Sequence, residues 1–147
     1  MMNKKQKYFL LKFLVVISVT TILIVAINNS KDFVNKSESL LAMKNLGYLI
    51  NQYRNQHGKL PPESYIDEIK TKLQGSPRIG KLVYRAKWLD YITTGETIIA
   101  YAKKDSSGFI LGSGYAVLKY NGNVGWLTED EFQITMALQW AQNEPRE

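Results

Sequence analysis

Hydrophobic positions fall along this chain in three regimes, and each predicts a different kind of element. From Phe13 to Ile27 the residues read Phe-Leu-Val-Val-Ile-Ser-Val-Thr-Thr-Ile-Leu-Ile-Val-Ala-Ile, without a charge. A run with no polar face predicts a helix that is apolar all round. Carried back through Lys12 to Tyr8 it gives 20 residues, enough to cross about 30 Å of hydrocarbon at about 1.5 Å per residue. Ser18, Thr20 and Thr21 can return their hydroxyls to the carbonyl one turn earlier. Past Asn28-Asn29-Ser30 the pattern becomes periodic. Leu40, Met43, Leu46 or Gly47, Ile50, Tyr53 and His57 recur at three- and four-residue intervals, which predicts an amphipathic helix with one buried stripe. Gly58 reads as a helix-ending glycine and Pro61-Pro62 prevent continuation. No proline lies between residues 8 and 57, so both stretches can belong to one rod, interrupted at most near Asn28-Asn29.

The third regime is short and mixed. A second helix fits 63–74, with Ile66, Ile69 and Leu73 on one face and Gly75 closing it. Strand signals follow at Lys81–Arg85, Thr97–Ala102, Gly114–Tyr120 and Val124–Leu127, with a turn at Asp105–Gly108. Asn121-Gly122 predicts a type I′ hairpin turn, with positive φ at both central residues. Thr128-Glu-Asp-Glu131 is a capping box that starts a last helix running to about Trp140. Helix, helix, antiparallel strands and helix make an α+β fold, without an internal repeat.

Composition narrows the chemistry. The 147 residues contain no cysteine and one histidine, which excludes a disulfide framework, a thiolate nucleophile and a multi-His or Cys-ligated metal centre. The net charge is +6, but five lysines and no acid lie in residues 1–31, so the rest is nearly neutral. The basicity belongs to the N-terminus, and a nucleic-acid-binding surface is not expected.

The uncharged run reads best as a membrane anchor contacting the lipid bilayer through Tyr8, Lys12, Phe13, Val15, Val16, Ile17, Ile22, Leu23 and Ile24. Lys12, one turn inside, can snorkel its ammonium to the headgroups. A cleaved secretory signal and a buried core helix are the alternatives; Val25-Ala26-Ile27-Asn28 makes a poor cleavage site, and an all-apolar helix is hard to bury in so small a domain. Lys4, Lys5 and Lys7 precede the span while Lys31 and Asp32 offset each other after it. The positive-inside rule then leaves residues 1–7 as a cytoplasmic tail, 8–27 as the transmembrane helix and 28–147 outside the cytoplasmic membrane.

Three phrases carry a resemblance to a family. Tyr8-Phe-Leu-Leu-Lys-Phe-Leu-Val-Val-Ile-Ser18 resembles the start of type IV prepilins and type II secretion pseudopilins, roughly G-F-T-L-I-E-L-L-V-V-I-S. Tyr53-Arg-Asn-Gln-His57-Gly58-Lys-Leu-Pro61 is similar to the family's Y-R-x-x-H-G-x-Y-P. Tyr120-Asn-Gly-Asn-Val-Gly-Trp-Leu-Thr-Glu-Asp-Glu-Phe132 is similar to the D-G-x-V-x-W-L-x-x-x-E-F hairpin of one pseudopilin-like branch. The resemblance implies a long hydrophobic-to-amphipathic helix packed on a small antiparallel sheet, a pilin-like head over 28–147, and other pilin-like or secretion-apparatus proteins as partners. Two positions depart from the pattern. Lys7 stands where the processing peptidase expects glycine, and Lys12 where the family has the glutamate thought to neutralise a neighbour's free amine. The departures imply an uncleaved anchor, or a minor subunit that does without the glutamate.

No catalytic constellation emerges, so neither catalysis nor a cofactor is expected. His57 precedes Gly58, where an imidazole complements the helix dipole or bonds a free carbonyl. Glu129, Asp130 and Glu131 favour a helix first turn on charge grounds alone, and no spaced run of acids suits calcium. Gly108, Gly112 and Gly114 do not sit between a strand and a helix, which argues against a phosphate loop. The aromatics Trp88, Tyr91, Tyr101, Tyr115, Tyr120 and Trp126 build core or cross-strand pairs, or else place Trp88, Tyr101, Tyr115 and Trp126 in an exposed protein-binding row. The strand register decides between these. The expected function is therefore that of a non-catalytic pseudopilin-like subunit acting through helix packing and head contacts. A free-standing single-pass protein with a partner-binding or ligand-binding head is the alternative, and a released enzyme or binding module the third.

Overall fold

The computed structural model of the chain describes residues 3–73, 79–85, 94–106 and 112–143. Helix α1 runs unbroken from Lys4 to His57, 54 residues or about 81 Å at 1.5 Å per residue. Asn28 and Asn29 lie inside it without interrupting it. Gly58 ends it in the left-handed region at φ 70°, its N–H donating to Arg54 O at 2.8 Å. That conformation is open to glycine without a Cβ penalty. The helix α2, Glu63–Lys70, is shorter than the 63–74 predicted. Gly75 lies outside the described residues, as do Trp88, Tyr91 and Gly108.

Four strands follow as an antiparallel meander in the order β1-β2-β3-β4: Leu82–Tyr84, Ile98–Lys104, Gly114–Lys119 and Val124–Thr128. The register pairs Tyr101 with Val83 and Val117, and Ala116 with Trp126. A bulge at Ile99 breaks the alternation of faces along the second strand, so Ile99 and Ala100 both face α1 while Ile98 faces away. Helix α3, Glu129–Asn143, closes the chain and extends past the predicted end near Trp140.

The turn between β3 and β4 differs from the type I′ expected. Gly122 has φ 88°, but no described non-glycine residue, Asn121 included, has positive φ. Gly122 N–H donates to Lys119 O at 2.9 Å and Lys119 N–H to Asn123 O at 2.8 Å. These bonds enclose a three-residue loop, a type I turn completed by a left-handed glycine. The Asn121 Oδ1 accepts from the Asn123 N–H at 2.9 Å and its Nδ2 donates to Glu96 Oε1 at 3.0 Å, so the side chain ties the turn down on both sides.

The sheet is covered on both faces. On one lie Ala42, Met43, Leu46 and Ile50 of α1 with Ile66 and Ile69 of α2, against Ile99, Ala100, Ala102, Ala116 and Leu118. On the other lie Phe132 and Met136 of α3, against Ile98, Tyr115 and Val117. The buried stripe of α1 starts earlier than its periodicity suggested, at Asp32 and Ser39, and ends at Ile50. Leu40 and Tyr53 are half-buried and His57 is exposed. Gly47 lets α1 approach the sheet, since a Cβ there would stand 2.8 Å from Leu118 Cδ1. The α+β architecture expected from the sequence is the one found.

Leu46 is fully buried between α1 and the sheet. Leu46→Ala leaves a cavity there, and the urea midpoint of the full chain in detergent micelles should fall by the equivalent of about 2–5 kcal/mol.

Candidate functional site

The residue types from Tyr8 to Ile27 demand an apolar surrounding, and the fold leaves that demand unmet. None of the residues in the most apolar 18-residue window of α1 is buried. Tyr8, Phe13, Val15, Val16, Ile17, Ile22, Leu23 and Ile24 are all exposed, from 47% at Ile17 to 67% at Ile22. Each large apolar side chain left in water costs about 1.5–3 kcal/mol relative to burial. The backbone of a continuous helix is already satisfied internally, so hydrocarbon suits this surface. By length and composition α1 can cross a membrane, and among the described residues it is the one helix that can.

The polar groups in the stretch are dealt with locally. Thr20 Oγ1 donates to Val16 O at 2.8 Å and Thr21 Oγ1 to Ile17 O at 2.9 Å. Lys12 Nζ lies 4.6 Å from the centroid of the Tyr8 ring, one turn nearer the N-terminus. That cation–π contact aims the ammonium toward Lys4, Lys5 and Lys7, the direction in which it leaves the apolar stretch.

The second candidate, the aromatic row, is not assembled. Tyr101 and Tyr115 lie on the sheet face under α3. The Tyr115 ring stacks on Phe132 at 3.7 Å between centroids, and Tyr101 tilts against Phe132 at 4.8 Å. Trp126 is on the opposite face, packed beside the α1 core, with Lys36 Nζ 4.8 Å from its ring centroid. Trp88 lies outside the described residues. Tyr101, Tyr115 and Trp126 therefore share no surface, and the first two are cross-strand partners of the core.

The remaining polar groups do structural work. His57 Nδ1 lies 3.1 Å from Tyr53 O, and its ring stacks on Tyr53 at 4.0 Å. Glu131 closes the capping box, accepting from Thr128 N–H at 2.8 Å and from the Thr128 hydroxyl at 2.9 Å. Glu129 accepts from the Tyr115 hydroxyl at 2.8 Å and Gln133 Nε2 at 3.2 Å, and pairs with Lys103 at 3.0 Å. The Tyr115 bond, then Lys103 and Gln133, hold the Glu129 carboxyl below the usual carboxylate range. Among the described residues no three His, Cys, Asp or Glu side chains gather as a metal site would require.

Sequence reasoning missed two buried charged groups. Asp32 is buried at the base of the head and accepts from Ser106 Oγ at 2.7 Å. Position 32 precedes the buried Ser39 and Leu46 by one and two heptads, a signal hidden by its charge. Arg85 is buried between β1 and α3, donating to Gln139 Oε1 at 3.1 Å and contacting Met136 Sδ at 3.2 Å. Burial pushes its pKa down.

No family model, curated protein or solved structure matches the chain. The likeness to pilins rests on the sequence phrases and on the arrangement itself, a long N-terminal helix packed on a small antiparallel sheet.

The Glu129 network carries a pH signature. A carboxyl whose folded pKa is depressed stabilises the fold above its unfolded value, near 4.3, and the contribution is lost as pH falls through the folded value. Glu129→Gln should lower the thermal midpoint at pH 7. The gap between wild type and variant should close progressively below about pH 4, as followed by near-UV circular dichroism.

Proposed function

We propose that the chain is a non-catalytic, membrane-anchored pseudopilin-like subunit of an envelope secretion or pilus-like apparatus. In this reading Tyr8–Ile27 crosses the cytoplasmic membrane, the N-terminus is cytoplasmic, and the head lies outside. The observation that carries it is the division of one helix into two halves. The first is uncharged and exposed on every side from Phe13 to Ile27, and the second lays a buried stripe on an antiparallel meander. The three phrases in pilin order support the family, and the lysines before the span support the orientation. In the apparatus such a subunit acts by helix packing in the bilayer and by head contacts outside it.

Lys7 and Lys12 favour a second reading, a free-standing single-pass protein whose head binds a partner or ligand and enters no filament. A lysine before the first aromatic obstructs peptidase processing, and Lys12 replaces the acid that family assembly uses. Co-purification separates the readings. A tagged full-length chain should bring down other pilin-like subunits if it is part of an apparatus, and their persistent absence removes the first reading in favour of the second.

Both readings share one expected outcome. Protein extracted from membranes should resist alkaline carbonate washing and show the intact mass of the full chain. Loss of the first seven residues would indicate prepilin processing, and loss of about 27 a secretory signal of ordinary length.

A further inference from the structure

The head begins on α1 almost where the apolar stretch ends, and no flexible linker separates them. Asp32, the first buried residue of the helix, lies five positions past Ile27, which is about 7.5 Å along the axis. A bilayer with about 30 Å of hydrocarbon measures about 40–45 Å with its headgroups, so each polar layer is about 5–7.5 Å deep. Because α1 is continuous through Asn28 and Asn29, this height is set by the helix rise and cannot relax by bending at a joint.

The part of the head at that height is the end of the sheet where β2 finishes and β3 begins. Asp105, Ser106 and Gly112 line one cleft with Asp32 and Lys36, and the Ser106–Asp32 hydrogen bond fastens this end to the helix. Two lysines of α1 lie near this level: Lys31 is exposed one residue before Asp32, and Lys36 reaches across Trp126. Two acids at this end of the sheet are engaged within the protein, Glu129 with Lys103 and Tyr115, and Glu131 with the α3 cap. Asp105 and Asp130 remain exposed.

We infer that this rim is a second bilayer contact, seated on the phospholipid headgroup layer with Lys31 and Lys36 against lipid phosphate. The inference rests on the membrane-anchor reading above. Lysine stems are long enough to bring their ammonium groups down to phosphate, and the attraction acts within a Debye length of the surface. Seating fixes both the height and the facing of the head, so the far end, with its Tyr120–Gly122 turn, is presented to partners in one orientation.

The absence of cysteine makes single-site labelling of the full chain direct. Gly112→Cys places a fluorophore at the rim, where an added Cβ meets open space. Asn123→Cys places one at the far end beside Gly122, which packs near Asn51, 19 helix residues or about 28 Å above Asp32. Val16→Cys reports on the anchor. The probes are vesicles of phosphatidylglycerol and phosphatidylcholine carrying a nitroxide either on the headgroup or on the acyl chain. Headgroup nitroxide should quench the label at position 112 several-fold more than at 123, and Lys31→Gln with Lys36→Gln should reduce that ratio. Equal quenching at 112 and 123, with Val16→Cys quenched by acyl-chain nitroxide, leaves the anchor standing and overturns the seating. An unchanged ratio in the double variant overturns the lysine contacts. No quenching at position 16 defeats the anchor reading itself.

Discussion

An uninterrupted ladder of backbone hydrogen bonds through Asn28 and Asn29 is the constraint on which the rest of the molecule depends. Asparagine is a poor helix former, but by only a fraction of a kcal/mol per residue. Breaking the helix there would free backbone carbonyls and amides that need new partners. Neither proline nor glycine occurs between Tyr8 and Leu46, so nothing in the sequence makes a break less costly than continuation. One helix thus passes from a stretch that exposes apolar side chains in every direction to one that buries a single stripe. The head inherits its position from that helix, with no adjustable joint between them.

The sheet answers the helix with size as well as hydrophobicity. Its α1 face carries Ala100, Ala102 and Ala116, and Gly47 on the helix meets Leu118. Small residues on both sides let the backbone layers come close, which suits the continuous contact that a long straight helix makes. The opposite face carries Tyr101 and Tyr115, and the shorter α3 packs Phe132 against both rings. A bulge at Ile99 adds one more residue to the α1 face where strict alternation would have turned it away. Both faces are therefore covered, and among the described residues Tyr101 and Tyr115 pack under α3 while Trp126 packs beside α1.

Much of this was legible in the residues because it follows from strong, local rules. Gly58 before Pro61-Pro62 ends α1, and Thr128 with Glu131 starts α3, each through one or two hydrogen bonds that the sequence specifies nearby. Legibility failed where a distant contact decides the outcome. The type I′ turn expected at Asn121-Gly122 gives way where Asn121 is held from a distance, its N–H by Gly95 O and its side-chain amide by Glu96. Periodicity placed the helix stripe from Leu40 to His57, but the sheet reaches lower on α1, down to Asp32, and leaves His57 outside. No rule of composition anticipates a buried aspartate there, since its partner Ser106 lies 74 residues away. Arg85 is similar, its burial depending on Gln139 across the head.

Lys12 bears on how such a chain associates with others. Its ammonium is drawn over Tyr8 toward the basic N-terminal tail, so it can be tolerated near a membrane boundary without a carboxylate partner. That solution works for a single helix. Identical copies packed side by side in register would bring their Lys12 groups together, beside tails that each carry Lys4, Lys5 and Lys7. Like charges repel more strongly as water is excluded between them, so such packing would lose part of what the apolar faces gain. The same physics disfavours a homopolymer built on this helix and favours a neighbour that lacks the cation or supplies an acid at that depth. If this stretch lies in a bilayer, association there would be selective by charge, since lipid tails are as apolar as the helix and leave its apolar faces no hydrophobic reason to pair.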